Sequence, residues 1–208
     1  MRGARVARPR RADDRFDTKG QLLDKFIELA ARMPLDKITV RMLVESVGCN
    51  KTTFYYHFET VESLYEEAFE RMDVEGSANA VVHEVINENR GSNSPWDNPR
   101  MVRVLDWLCT FASLNGSGRG RRYLDGLILD ATSHALGVDP ESSGVQERTL
   151  LAFTAGGVGE ALRFRGSTGN SIPAEEFFRA VHDTVMPAIN EKHRLTRKND
   201  GSLPAWLR

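Results

Sequence analysis

Apolar residues recur every three or four positions along most of this chain, and no stretch shows sustained single alternation. That is the period of helices with one buried face, so the expected fold class is all-α, without strands or an internal repeat. The first helix is predicted to open on a Thr18/Gln21 capping box. It buries Leu22, Leu23, Phe26, Ile27 and Ala30, and runs to about Met33, where Pro34 ends it. Thr39 can cap a second helix in which Val40, Leu43, Val44 and Val47 form the apolar face. Gly48 ends it, because glycine takes a left-handed turn without steric cost. Asn50 can then cap a short third helix whose Phe54 and Phe58, four apart, face inward. A fourth helix starts near Thr60 and carries Leu64, Tyr65, Ala68, Phe69 and Met72.

Downstream the same period predicts a helix over 80–89, a loop over 91–99, and a helix containing Val104, Leu105, Leu108, Phe111 and Ala112. A glycine-rich break at 116–120 leads into a helix holding Tyr123, Leu124, Leu127, Ile128 and Ala131. After a loop at 137–144, a long helix spans 145–165. A last one, capped by Ser171 with Pro173 in its first turn and Glu175 and Glu176 favouring its dipole, reaches about residue 190.

The stretch 39–58 is the most informative. It reads as helix, tight turn, short helix, and the outward set of the second helix is Lys51, Thr52, Thr53, Tyr55, Tyr56 and His57. Hydroxyls, Lys and His can donate to phosphate oxygens, and a Thr methyl or Tyr ring can touch a thymine methyl. A helix-turn-helix reader places such a helix in the major groove. The plainer alternative is a helical hairpin whose aromatics are only core.

The segment resembles the N-terminal domain of the TetR family of transcriptional regulators. The resemblance is carried by Ile38-Thr39-Val40-Arg41, Val47-Gly48-Cys49, Thr53-Phe54-Tyr55-Tyr56-His57-Phe58 and Leu64, with Phe26 and Ala30 upstream. It covers about residues 18–70; the remainder matches only in length and helical character. The resemblance implies that Arg41 reaches a base or phosphate, that Lys51, Thr52 and Tyr55 contact base edges, and that Thr39, Thr53, Tyr56 and His57 hold phosphates. Where the family commonly has a lysine just after the recognition helix, this chain has Val61 between Glu59 and Glu62. Weaker DNA binding is expected from that departure.

A net charge of -1 does not by itself mark a nucleic-acid binder. Its distribution says more: residues 1–58 hold 12 Lys+Arg against 7 Asp+Glu, and the rest hold 16 against 22. The basic end therefore coincides with the motif, as electrostatic DNA binding requires. Six arginines in residues 1–15 make either a solvated tail or an arm that grips the minor groove. Two cysteines, Cys49 and Cys109, make no disulfide framework and fit a reducing cytoplasm. No run approaches membrane-helix length, and no apolar segment follows the N-terminal arginines as a signal peptide would require. No phosphate loop, zinc spacing or nucleophile elbow is present. Neither enzymatic activity, a metal nor a cofactor is expected, and a helical small-molecule enzyme is the remote alternative.

The expected organisation is an arm at 1–17, a DNA-binding domain at 18–60, a regulatory and dimerisation domain at 61–190, and a tail at 191–208. In the long helix, Ala152, Ala155, Gly156, Gly157 and Gly159 cluster, although each helical glycine costs about 1 kcal/mol relative to alanine. Close approach of another helix would offset that. With Phe177, Phe178, Val181, Val185 and Ile189 they are expected to form a homodimer interface; close packing within one chain, or a kink, is the alternative. In the family the middle helices often enclose an effector pocket, and Trp107, Cys109, Phe111, Tyr123 and His134 could line one for a small, mostly apolar ligand. They serve equally well as core. The resulting expectation is a dimeric, ligand-responsive repressor that binds a near-palindromic operator in double-stranded DNA. A transcriptional activator or partner-recruiting protein of the same fold is the alternative.

Overall fold

The computed structural model describes residues 14–87 and 95–184. Among these residues every regular element is helical and no strand occurs. The helices are α1 (Asp14–Ala30), α2 (Val40–Val47), α3 (Lys51–His57), α4 (Val61–Met72), α5 (Val74–Asn87), α6 (Pro99–Leu114), α7 (Gly118–Leu136) and α8 (Val145–Ser167), followed by α9 over 174–184. α1 packs on α2, α3 and α4, while α8 packs on both α6 and α7, and α5 lies against α6 and α7. No helix among the described residues is long and apolar enough to cross a membrane.

The periodic interiors match the sequence reading, and the ends differ where local chemistry decides. α1 begins at Asp14, so Thr18 lies one turn inside it instead of capping it. α5 begins at Val74, six residues ahead of the predicted 80–89 helix. Asp73 takes a left-handed conformation (φ 58°) that ends α4, and the next helix starts at once. Pro99, predicted as loop, is the first residue of α6, with Asn98 Oδ1 accepting from Arg100 N at 2.9 Å. α7 starts at Gly118, inside the predicted break.

The start of α9 is corrected for a different reason. Pro173, not Ser171, precedes its first helical residue. The segment before it wraps around Arg165, a buried cation 2% exposed. Arg165 Nε donates to Ile172 O (3.0 Å), Nη1 donates to Asn170 Oδ1 (3.4 Å), Nη2 pairs with Asp106 (2.7 Å), and the guanidinium sits over the Phe177 ring. A buried charge needs partners on every side, and supplying them keeps 170–172 out of a helix.

One aromatic cluster joins the two ends of the core. Phe69 of α4 lies 5.6 Å from Phe26 of α1, 5.6 Å from Trp107 and 5.7 Å from Phe111 of α6, and 4.6 Å from Tyr123 of α7. Polar bonds tie the same parts together. Asn115, buried at the end of α6, accepts from Leu35 N at 2.9 Å, and Trp107 Nε1 donates to Ile27 O at 3.2 Å. At the start of α7, Arg119 donates to Asp36 through its backbone N (3.1 Å) and its Nε (2.8 Å), and also pairs with Glu62 of α4. Gly118 (φ 75°) makes that approach possible, because a Cβ there would fall 1.8 Å from Asp36 Oδ2. The segment leading into α2 is thus clamped by the α6–α7 turn.

Candidate nucleic-acid interface

The α2–α3 pair is built by its caps. Thr39 Oγ1 accepts from Met42 N at 3.3 Å, and Gly48 ends α2 at φ 77°, with its N–H on Val44 O at 2.9 Å. Only Cys49 then separates Gly48 from Asn50, whose Oδ1 accepts from Thr53 N at 2.8 Å. Leu43, Val44, Phe54 and Phe58 are buried. Phe54 and Phe58 pack against each other with tilted rings 5.6 Å apart, and Lys19 of α1 lies over the Phe58 ring. The inward face of α3 is therefore fixed to α1 and α2, and its outward face is presented rigidly.

That outward face holds two large exposed aromatics, Tyr55 (56% exposed) and Tyr56 (80%), beside exposed Lys51 and Thr52 and half-buried His57. Burying such rings on a partner is favourable. A concave dent of about 280 Å³ lies at the α1–α3 corner, lined by Thr18, Asn50, Thr52, Thr53, Tyr56 and His57. Three of the sequence-predicted contacts have other commitments. Thr39 spends its hydroxyl acceptor on the α2 cap, Arg41 pairs with Glu45 at 2.7 Å, and the Thr53 hydroxyl donates to Asn50 Oδ1 at 3.1 Å. Lys51, Thr52, Tyr55 and Tyr56 carry no such side-chain bond among the described residues.

Val61, the first residue of α4, is half-buried and packs on the core. Glu62 beside it turns away from α3: Tyr65 Oη donates to its Oε1 at 3.1 Å and Arg119 pairs with it. Its carboxyl is held below the usual range, chiefly by its own backbone amide, with Tyr65 and Arg119 adding to this. Cys49 lies in the turn, but burial pushes its thiol up from the ordinary value, which argues against a reactive thiolate. The arginine-rich residues 1–13 lie outside the described residues.

The other predicted sites are placed differently. Trp107 and Phe111 stack on each other at 5.1 Å within the aromatic core, and neither lines the α1–α3 dent or the groove between α5 and α7; Cys109 is fully buried beside Arg165. Tyr123 and His134 do line one, a groove of about 730 Å³ between α5 and α7. On α8, Ala155 and Gly159 point into their own chain and are buried, whereas Ala152, Gly156 and Gly157 are exposed beside Phe153 (64% exposed) and Phe164 (58%). Phe178 is buried against Trp96, with rings 4.5 Å apart, and Val181 is half-buried. Val185 and Ile189 lie outside the described residues.

Sequence reading missed Thr18 and Asn50 as walls of the dent, and it missed the Asp36–Arg119–Glu62 clamp. Thr18 looked like a cap, and 83 residues separate Asp36 from Arg119, so neither juxtaposition has a local signature. No family model and no curated protein matches the chain.

Proposed function

We propose that this chain is a sequence-specific DNA-binding transcriptional regulator of the TetR type, acting as a dimeric, ligand-responsive repressor. The observation that carries the reading is the outward face of α3. Lys51, Thr52, Tyr55 and Tyr56 stand exposed on a short helix that two caps and two buried phenylalanines hold rigid. In this reading α2 and α3 are a helix-turn-helix and α3 enters the major groove. Lys51, Thr52 and Tyr55 meet base edges, while Tyr56 and His57 meet phosphates. Arg41 joins them by exchanging Glu45 for a phosphate.

A palindromic operator needs two copies of α3, about 34–36 Å apart. The exposed stripe of α8 supports self-association. Phe153, Gly157 and Phe164 fall at helical spacing on one face, with Ala152 and Gly156 alongside, and all five are exposed among the described residues. Residues this small let a second α8 approach, and the two phenylalanines supply the apolar area.

The clamp supports ligand response. A shift of α7 moves Arg119, which holds Asp36, and disturbs the α6–α7 turn, where Asn115 holds Leu35; both lie just ahead of α2. An effector that binds the shifted state more tightly draws the half-sites out of register. A tenfold loss of operator affinity requires only about 1.4 kcal/mol of differential binding.

The test is titration of the purified protein against DNA from upstream of its own gene, with unrelated DNA of equal length as control. Binding of two protomers to the upstream DNA is expected, with Tyr55→Ala losing about 1–3 kcal/mol and Lys51→Ala flattening the salt dependence by about one ion. Unchanged operator binding in both variants would remove α3 as the reading helix.

A further inference from the structure

The groove between α5 and α7 has a chemical character that the sequence did not foretell. Its floor is apolar and comes from α7: Tyr123, Leu127, Ala131 and Ala135. Its walls are polar: Glu75, Asn79 and His83 stand four apart along α5, and Arg122, Asp130 and His134 stand along α7. Gly126 leaves the floor open midway, since a Cβ there would meet nothing within 4 Å. A volume of about 730 Å³ is that of a small-molecule site.

The charges are unevenly satisfied. Glu75 and Asp130 have no cationic partner among the described residues. Glu75 is close enough to Tyr123 to add, with Glu66, to the effect of burial in pushing that phenol up to about 12. Tyr123 is therefore a hydrogen-bond donor at any physiological pH. Arg122, the one basic side chain at this end, also faces Asp36, whose carboxyl is held low first by Arg119 and in smaller part by Arg122. Asp130 lies seven residues beyond Tyr123, or about 10 Å along the helix. Two carboxylates with no cationic partner among the described residues thus bracket an apolar floor.

We propose that this groove binds an elongated organic cation, an amine with an apolar body, whose charge pairs with Asp130 or Glu75 while its body lies on Tyr123, Leu127 and Ala131. The proposal rests on the ligand-responsive reading only for its consequence; binding itself does not need DNA. An apolar body with a matched charge is favoured because a solvated carboxylate pair alone gives little, whereas floor contact partly desolvates the ion pair and strengthens it. The groove begins one turn after Arg119, so an occupant that displaces α7 acts directly on the clamp.

The test uses three probes with one body: 4-phenylbutylamine, 4-phenylbutanol and 4-phenylbutyrate. Each is titrated into the isotope-labelled full chain and followed by amide NMR shifts. The amine is expected to perturb amides of 75–83 and 122–135 and to bind at least tenfold more tightly than the butyrate. Asp130→Asn with Glu75→Gln should erase that preference and leave the weak binding of the alcohol unchanged, which also reports that the groove is intact. Equal or tighter binding of the butyrate, or shifts confined to other helices, would overturn the proposal. A parallel DNA titration separates the two readings: amine binding in the groove with unaltered DNA affinity would retain the site and remove its role as an effector site. Loss of DNA binding in Lys51→Ala and Tyr55→Ala, with no amine binding, would do the reverse.

Discussion

Replacing Gly166 with alanine puts one methyl group where α6 and α8 touch. A Cβ at Gly166 would lie 1.9 Å from Cys109 O, 2.5 Å from Cys109 C and 3.0 Å from Ser113 Cβ. Ordinary carbon contacts begin near 3.5 Å, so the α6 carbonyl must retreat by about 1.5 Å. The clashing atoms are backbone, and no side-chain rotamer can relieve them. Overpacking of this kind costs about 1–3 kcal/mol. Alanine gains at most about 1 kcal/mol over glycine in helical propensity, and less near a helix end, where Gly166 sits. A net loss of about 1–2 kcal/mol is expected, equivalent to roughly 2–8 °C in Tm for a chain of this size. The same substitution at Gly20, inside α1 with nothing within 4 Å of its Cβ, should stabilise by about 0.5–1 kcal/mol. Urea unfolding of both variants at one fixed protein concentration reads the contrast. Equal or greater stability for Gly166→Ala than for the parent would refute the close α6–α8 contact.

Val61→Lys should tighten DNA binding and steepen its salt dependence by about one ion, since the lysine stem can cover the apolar surface that Val61 now covers while its amine reaches out; an unchanged slope in a salt titration would mean that the start of α4 does not face phosphate. Phe153→Glu should shift the chain toward monomer in sedimentation velocity and weaken operator binding, with little effect on monomer stability because the side chain is largely exposed. Burial raises the Cys109 thiol to about 11, and burial first raises both Tyr65 and Tyr123 to about 12. Each group holds its proton more tightly folded than unfolded, so each contributes stability in full below its unfolded value and loses it as pH climbs to its folded value. Thermal stability should therefore fall from about pH 9 to about pH 12, and a melting temperature that held level across that window would contradict the burial of these three groups. Alkylation at pH 8 should label Cys49 well before Cys109, which is fully buried; equal rates by mass spectrometry would contradict that placement.

The caps around α2 and α3 were legible because they are local: Thr39, Gly48 and Asn50 each act within three or four residues, and each occupies the position its chemistry requires. The apolar stripes were legible for the same reason. What escaped was long-range. Whether a residue such as Trp107 lines a cavity or fills the core depends on Phe69 arriving from another helix. Ala155 and Gly159 looked like a docking face because they lie four apart, but the helix is turned so that Ala152, Gly156 and Phe153 face outward. Periodicity shows that a helix has a face, and only the packing of α6 and α7 decides which one is covered. The start of α9 escaped because a buried arginine nearby claims the carbonyl of Ile172.

The central claim is that α3 reads DNA sequence, and the most direct measurement is selection of duplexes from a random-sequence pool by the purified chain, with Tyr55→Ala in parallel. Enrichment of an inverted repeat with half-site centres about one helical turn apart is predicted, with the enriched bases changed or lost in the variant. A pool that stays unenriched over successive rounds, or that enriches identically with Tyr55→Ala, would contradict it.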